Sequence, residues 1–142
     1  MRSMRFSRAC TAALFATLLL TTVTALAKDG RDFAGFYKVS HARIQGDQVH
    51  LTLNLQIHNN GDADATHAVI TLRQNTGFDV VGSTRPIALV RLHDHVNVSQ
   101  QFTVSRREYE KWHNGSQPGL SITYRANGKT WERPMQMAAR DF

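Results

Sequence analysis

The chain holds a single cysteine, Cys10, inside an apolar leader, so the body of the sequence has no thiol at all. It has no disulfide to close a loop and no thiolate to serve as nucleophile or ligand. Burial and hydrogen bonding must therefore hold it together. Runs of like charge are also missing, since Arg106 and Arg107 are the only adjacent basic residues. A nucleic-acid binder concentrates Lys and Arg in one run or on one face, so nucleic acid is not an expected partner. Beyond Ala27 no stretch stays apolar for the roughly 20 residues that a membrane-spanning helix needs. No internal repeat or low-complexity tract is present.

Catalytic signatures are equally scarce. There is no Gly-x-Ser-x-Gly elbow, and nothing orders the Ser and His residues into a triad. Asp62/Asp64 and Glu108/Glu110 are close in sequence, but they fall in a turn and in a solvated helical turn rather than across a cleft. No calcium-type loop follows Asp62 and Asp64. Neither an enzyme nor a cofactor is expected from this pattern.

What is present begins with Met1 to Arg8, which carries Arg2, Arg5 and Arg8 and no acid. An apolar run follows and ends in Ala25-Leu26-Ala27, before the polar Lys28-Asp29-Gly30. A positive segment, an apolar core and an A-x-A site make a secretory signal peptide, so cleavage is expected after Ala27 and export to the periplasm or beyond. Removing those three arginines from the 17 basic residues leaves 14 against 11 acids, a net charge of +3. Residues 28–35 read as a flexible entry segment, and residues 36–142 as one domain.

In that domain apolar residues recur at every second position. From Gln48 to His58, Val49, Leu51, Leu53, Leu55 and Ile57 share one face, while His50, Asn54, Gln56 and His58 share the other. That is the period of a half-buried strand. Similar alternation places strands at Phe36 to Ile44, Thr66 to Gln74, Ile87 to Leu92, His95 to Ser105, Gly119 to Ala126 and Thr130 to Met137. Pro86 sets the strand Ile87 to Leu92 near an edge, and Asn127-Gly128 marks a hairpin. Val80-Val81 is read as part of a loop. Ser105-Arg106-Arg107-Glu108 fits a capping box, so a short helical turn should run through Trp112. Seven strands, each with one apolar face, predict an all-β, antiparallel, immunoglobulin-like sandwich. A closed outer-membrane barrel would need another strand, and apolar residues where Ala138 and Arg140 stand.

The segment Ile57-His58-Asn59-Asn60-Gly61-Asp62-Ala63-Asp64-Ala65, leading into Ala68-Val69-Ile70-Thr71-Leu72, resembles bacterial immunoglobulin-like domains of the CARDB (cell-adhesion-related) type. There a strand ends in an N-x-G turn followed by small residues and an apolar strand. Leu92 to Val104 and Gly119 to Tyr124 look like that family's closing strands. The resemblance implies a binding or structural module of the cell surface, whose partner is another exported protein or a surface component.

Two constellations carry the candidate sites. Arg107, Tyr109 and Trp112 bring together the residue types that dominate protein-binding hot spots. The competing reading places Tyr109 and Trp112 over the open end of the core. The other constellation, His93-Asp94-His95, offers two imidazoles and a carboxylate suited to zinc or copper, provided the segment is extended so that both rings share a face. Here the competing reading is of exposed polar residues on wet strand faces. Met135 and Met137 could hold cuprous copper as thioethers, but they read more simply as core filler beside Trp131.

Overall fold

Alternation in the sequence becomes strand pairing in the computed structural model, which describes residues 32–141. The expected signal peptide, its cleavage site and Cys10 lie outside the described residues, as does Phe142. The elements in chain order are β1 (Phe33–Gln45), β2 (Gln48–Asn59), β3 (Ala65–Gln74), β4 (Asp79–Ser83) and β5 (Ile87–Val90). They continue with β6 (His95–Ser105), α1 (Arg106–His113), β7 (Gly119–Ala126), β8 (Lys129–Pro134) and β9 (Gln136–Ala139). Two sheets form: a first sheet in the order β6-β2-β1-β9, and a second in the order β4-β3-β7-β8 with β5 also paired to β3.

The inward faces of these strands make one core. Leu53, Leu55 and Ile57 of β2 are fully buried beside Ile70 and Leu72 of β3, Ile122 of β7 and Met137 of β9. Each such side chain contributes about 1.5–3 kcal/mol by leaving water. Phe33 crosses from the first sheet to pack on Tyr124 of the second, with ring centroids 4.8 Å apart. The result is an all-β, two-layered sandwich. At Asn127 (φ 52°) and Gly128 (φ 73°) the β7–β8 turn takes the doubly left-handed geometry that hairpin twist favours. Gly35 lies so close to β2 that a Cβ there would run into the Gln56 carbonyl.

The strand count is nine rather than seven, and each addition has a physical cause. Val80-Val81 belongs to β4, which pairs with β3 through a register shift. Its residues are exposed or half-buried, so no apolar face advertised a strand. The single strand expected over Thr130 to Met137 is two strands divided at Met135. β8 pairs antiparallel with β7, and after Pro134, which has no N–H to give, the chain crosses to the other layer. There β9 runs parallel to β1, with Ala34 opposite Gln136 and Tyr37 opposite Ala139. The sandwich is thus not wholly antiparallel. β1 also starts earlier than expected, with Phe33 and Ala34 already paired to Asn59 and His58. The capping box is half formed: Ser105 Oγ accepts from Glu108 N–H at 3.1 Å. The Ser105 N–H instead donates to Gln74 Oε1 at 3.2 Å.

Candidate binding face

The outer face of the first sheet carries a row of rings from three of its strands, β6, β2 and β1, that ends in a guanidinium just past β9. Alternation turns His58 of β2 outward, and the register places it opposite His95 of β6, with ring centroids 5.2 Å apart. Phe36 of β1 lies diagonally beside His58 and meets it edge-on at 6.1 Å. The Arg140 guanidinium stands over the Phe36 ring, 4.7 Å from its centroid. Arg140 is brought there by β9, whose ladder continues through the Arg140 N–H donating to the Tyr37 carbonyl at 3.1 Å. A cation held over a ring face is attracted by the ring quadrupole. A broad groove of about 660 Å³ runs beside the row, lined by Phe36, His58, Asn60, Gln117 and Gln136 among others.

Neutral polar side chains, bonded from strand to strand, surround the row. Asn54 Nδ2 donates to Ser40 Oγ at 2.8 Å, and Ser99 Oγ donates to Asn54 Oδ1 at 2.7 Å. His50 holds Thr103 Oγ1 at 2.9 Å and Gln45 Oε1 at 3.1 Å. None of the four strands of this sheet contains an aspartate or a glutamate. Its fixed charges are Lys38 and Arg43, joined at the rim by Arg140. Asp141 pairs with Lys38 there at 3.1 Å. The strands of the face are therefore free of acids, rich in amides and hydroxyls, and cationic toward β1 and β9, with carboxylates only at its margins: Asp141 on Lys38 and Asp94 3.8 Å from His95 Nδ1.

The helical candidates separate. Trp112 is buried in the core and Tyr109 is half-buried, meeting Trp112 at 6.5 Å and His113 edge-on at 4.6 Å. Arg107 is exposed. Tyr109 and Trp112 line a groove of about 440 Å³ with Tyr37, Lys38 and Arg140, and Arg107 is not part of it. Trp112 Nε1 is buried without a hydrogen-bond partner among the described residues.

The histidine candidates sit in a turn. His93 has φ 61°, a left-handed conformation, so the segment is not extended and the basis for two rings on one face is lost. The His93 N–H donates to the Asn59 carbonyl at 2.9 Å, and Asp94 Oδ1 accepts from the His95 N–H at 2.8 Å. These bonds give the triplet the local task of starting β6. Among the described residues no group of three or more His, Cys, Asp or Glu is placed to hold a metal ion. Met135 and Met137 are both buried core residues.

Phe36 and Arg140 are the residues that sequence reasoning missed, and no local signal could have found them as a pair. Their contact depends on the parallel β1–β9 pairing, which leaves no mark in the period of either strand.

No protein-family model and no curated protein matches this chain. Among solved structures, a GH20 exo-β-N-acetylglucosaminidase from Vibrio harveyi in complex with N-acetylglucosamine is similar at 14% identity and a TM-score of 0.42. An inactive mutant of that enzyme gives the same values. The likeness covers 75% of this chain but only 18% of the Vibrio chain. A protein from Archaeoglobus fulgidus is similar at 12% identity and a TM-score of 0.31, over 72% of this chain and 90% of that one. Likenesses at this level carry no argument about fold or activity.

Proposed function

We propose that the chain is an exported, non-enzymatic, immunoglobulin-like binding module that holds an anionic glycan on the outer face of its first sheet. The observation that carries this reading is the make-up of that face. Its strands hold no carboxylate, its surface is dense in amides and hydroxyls, and the ring row on it ends in a guanidinium. Amides and hydroxyls match the donors and acceptors of a sugar, and a ring edge or face offers apolar area to its C–H side. Lys38, Arg43 and Arg140 would pair with carboxylate or sulfate groups along the chain. The leader pattern supports export, and the resemblance to CARDB-type domains supports a place at the cell surface.

The test is calorimetric titration of the purified protein with a uronate-rich polysaccharide and with a neutral polysaccharide of similar length. The acidic chain should bind, and binding should weaken as salt rises. Phe36→Ala and Arg140→Ala should each weaken it by about tenfold, or ~1.4 kcal/mol. Equal binding of the neutral chain, or an Arg140→Ala variant that binds as well as the parent, overturns the reading.

A second reading, a protein partner at α1, rests on the half-buried Tyr109 beside the groove that Trp112 lines. Tyr109→Ala tells the two apart. Glycan binding should survive it, whereas capture of a protein partner should not.

A further inference from the structure

Sheet edges expose unpaired backbone groups, and proteins blunt them with charge, proline, bulges or brevity. Most edges here are blunted in these ways. β4 is five residues long, contains Asp79 and pairs through a register shift. β5 has four residues, with Pro86 just before it. β8 carries Lys129, Glu132, Arg133 and Pro134, and β9 is four residues long. Above β9, the free edge of β1 is broken by a register shift after Ser40 and by His41 at φ 52°.

β6 is different. It ends the order of the first sheet, so β2 is its one neighbour there. It runs for 11 residues, His-Val-Asn-Val-Ser-Gln-Gln-Phe-Thr-Val-Ser, with no Lys, Arg, Asp, Glu, Pro or Gly. Its pairing with β2 is unbroken from His95 to Ser105. In an antiparallel ladder, alternate residues aim their N–H and C=O groups at opposite neighbours. The His95 N–H goes to the Asp94 carboxylate at 2.8 Å and the Ser105 N–H to Gln74 Oε1 at 3.2 Å. Both therefore point away from β2. The same parity aims the backbone groups of Asn97, Ser99, Gln101 and Thr103 at the open edge. That edge is thus capped at both ends; between them the Gln101 carbonyl accepts from the Gln100 side-chain amide at 3.3 Å.

We propose that β6 pairs antiparallel with the β6 of a second copy about a twofold axis through Gln100, joining the two first sheets into one continuous sheet. The sequence is self-complementary in that register. Val96 faces Val104 and Val98 faces Phe102 on the core side, while Asn97 faces Thr103 and Ser99 faces Gln101 on the outer side. No like charges meet anywhere along the pair. The register also accounts for Gln100, the one polar residue among the inward-facing Val96, Val98, Phe102 and Val104. In the monomer its amide reaches only its neighbour's Gln101 carbonyl at 3.3 Å. On the axis it lies beside its own symmetry mate, where two primary amides satisfy each other. A neutral edge offers no charge pattern to select a foreign strand, whereas it fits its own reversed copy throughout. The inference does not depend on what the outer face binds.

Sedimentation equilibrium of the purified chain tests it against the mass of one chain, which is 16.0 kDa with the leader retained and correspondingly lower after cleavage at Ala27. Twice that mass is expected at micromolar concentration. Ser99→Lys with Gln101→Lys sets lysine opposite lysine across the axis, on side chains that face solvent in the monomer. That pair of changes should raise the dimer dissociation constant by about tenfold or more. Ser99→Lys with Gln101→Glu sets unlike charges opposite each other and should keep the dimer. In a Cys10→Ser background, Gln100→Cys should form an interchain disulfide under mild oxidation, and Cys10→Ser alone should not. A monomeric mass for the parent, or a dimer indifferent to the double-lysine change, overturns the proposal. So does a double-lysine and a lysine–glutamate variant behaving alike.

Discussion

Asn59 is fully buried at the end of β2, and its side chain joins three segments. Nδ2 donates to the carbonyls of Ala63 at 2.9 Å and Val90 at 3.0 Å, and Oδ1 accepts from the Gly61 N–H at 3.0 Å. No aliphatic residue can serve those groups. Asn59→Ala should lower the unfolding free energy by about 3 kcal/mol, because it strands two carbonyls and a donor away from water. Urea denaturation measures this, and a loss under about 1 kcal/mol would mean that water replaces the amide. Two tyrosines set an alkaline limit. Burial raises the Tyr37 phenol above its ordinary 10.0. For Tyr124, burial is the larger cause and the Asp32 carboxylate adds to it, while Arg133 opposes. The folded phenols thus keep their protons at a pH where unfolded chains have begun to lose them. Their contribution is full below pH 10.0 and is lost as pH rises through the folded values. Melting temperature should fall more steeply above pH 10 for the parent than for a Tyr37→Phe/Tyr124→Phe variant. Parallel curves would assign the decline to other groups.

At the scale of elements, α1 shows how a short helix is fixed between strands. Ser105 caps it, Lys111 meets the buried Glu108 at 3.4 Å, and Trp112 anchors it in the core. Ser105→Ala should cost about 1 kcal/mol. Trp112→Ala should cost about 3–5 kcal/mol by leaving a cavity. Thermal melts of both variants check the order, and a Trp112→Ala variant as stable as the parent would return that ring to the list of surface contacts. The long strands β2, β3, β6 and β7 were legible to within a residue or so, because each buries one face and alternation records burial. β4 was not, since it buries no clear face. The break at Met135 was hidden because the residues around it keep a strand-like pattern while the chain changes sheets. Alternation states which way a side chain points but not which strand lies alongside. His58 could thus be placed on a wet face, while its row with His95, Phe36 and Arg140 could not be assembled. The extended backbone assumed for His93-Asp94-His95 is absent for a related reason: the left-handed conformation at His93 has no periodic signature.

Over the whole molecule, charge and strand order are arranged together. In sequence the acids and bases look interspersed. Once paired, the strands of the first sheet prove free of acids, while the carboxylates of the described residues lie in turns, in α1, on the second sheet and at the rim. That separation was hidden until strands distant in sequence were known to be neighbours. The parallel pairing of β1 with β9 has a mechanical consequence. The leading end of β1 and the trailing end of β9 lie at opposite ends of one ladder. Tension applied between Asp32 and Asp141 therefore loads the β1–β9 hydrogen bonds together, in shear, rather than peeling them one at a time. Single-molecule extension through those two points should meet a higher rupture force than extension through points on β2 and β6 that open an antiparallel pair from one end. Equal forces in the two directions would show that the ladder bears no load. A domain loaded in this way would stay folded while anchored at one end and pulled from the other.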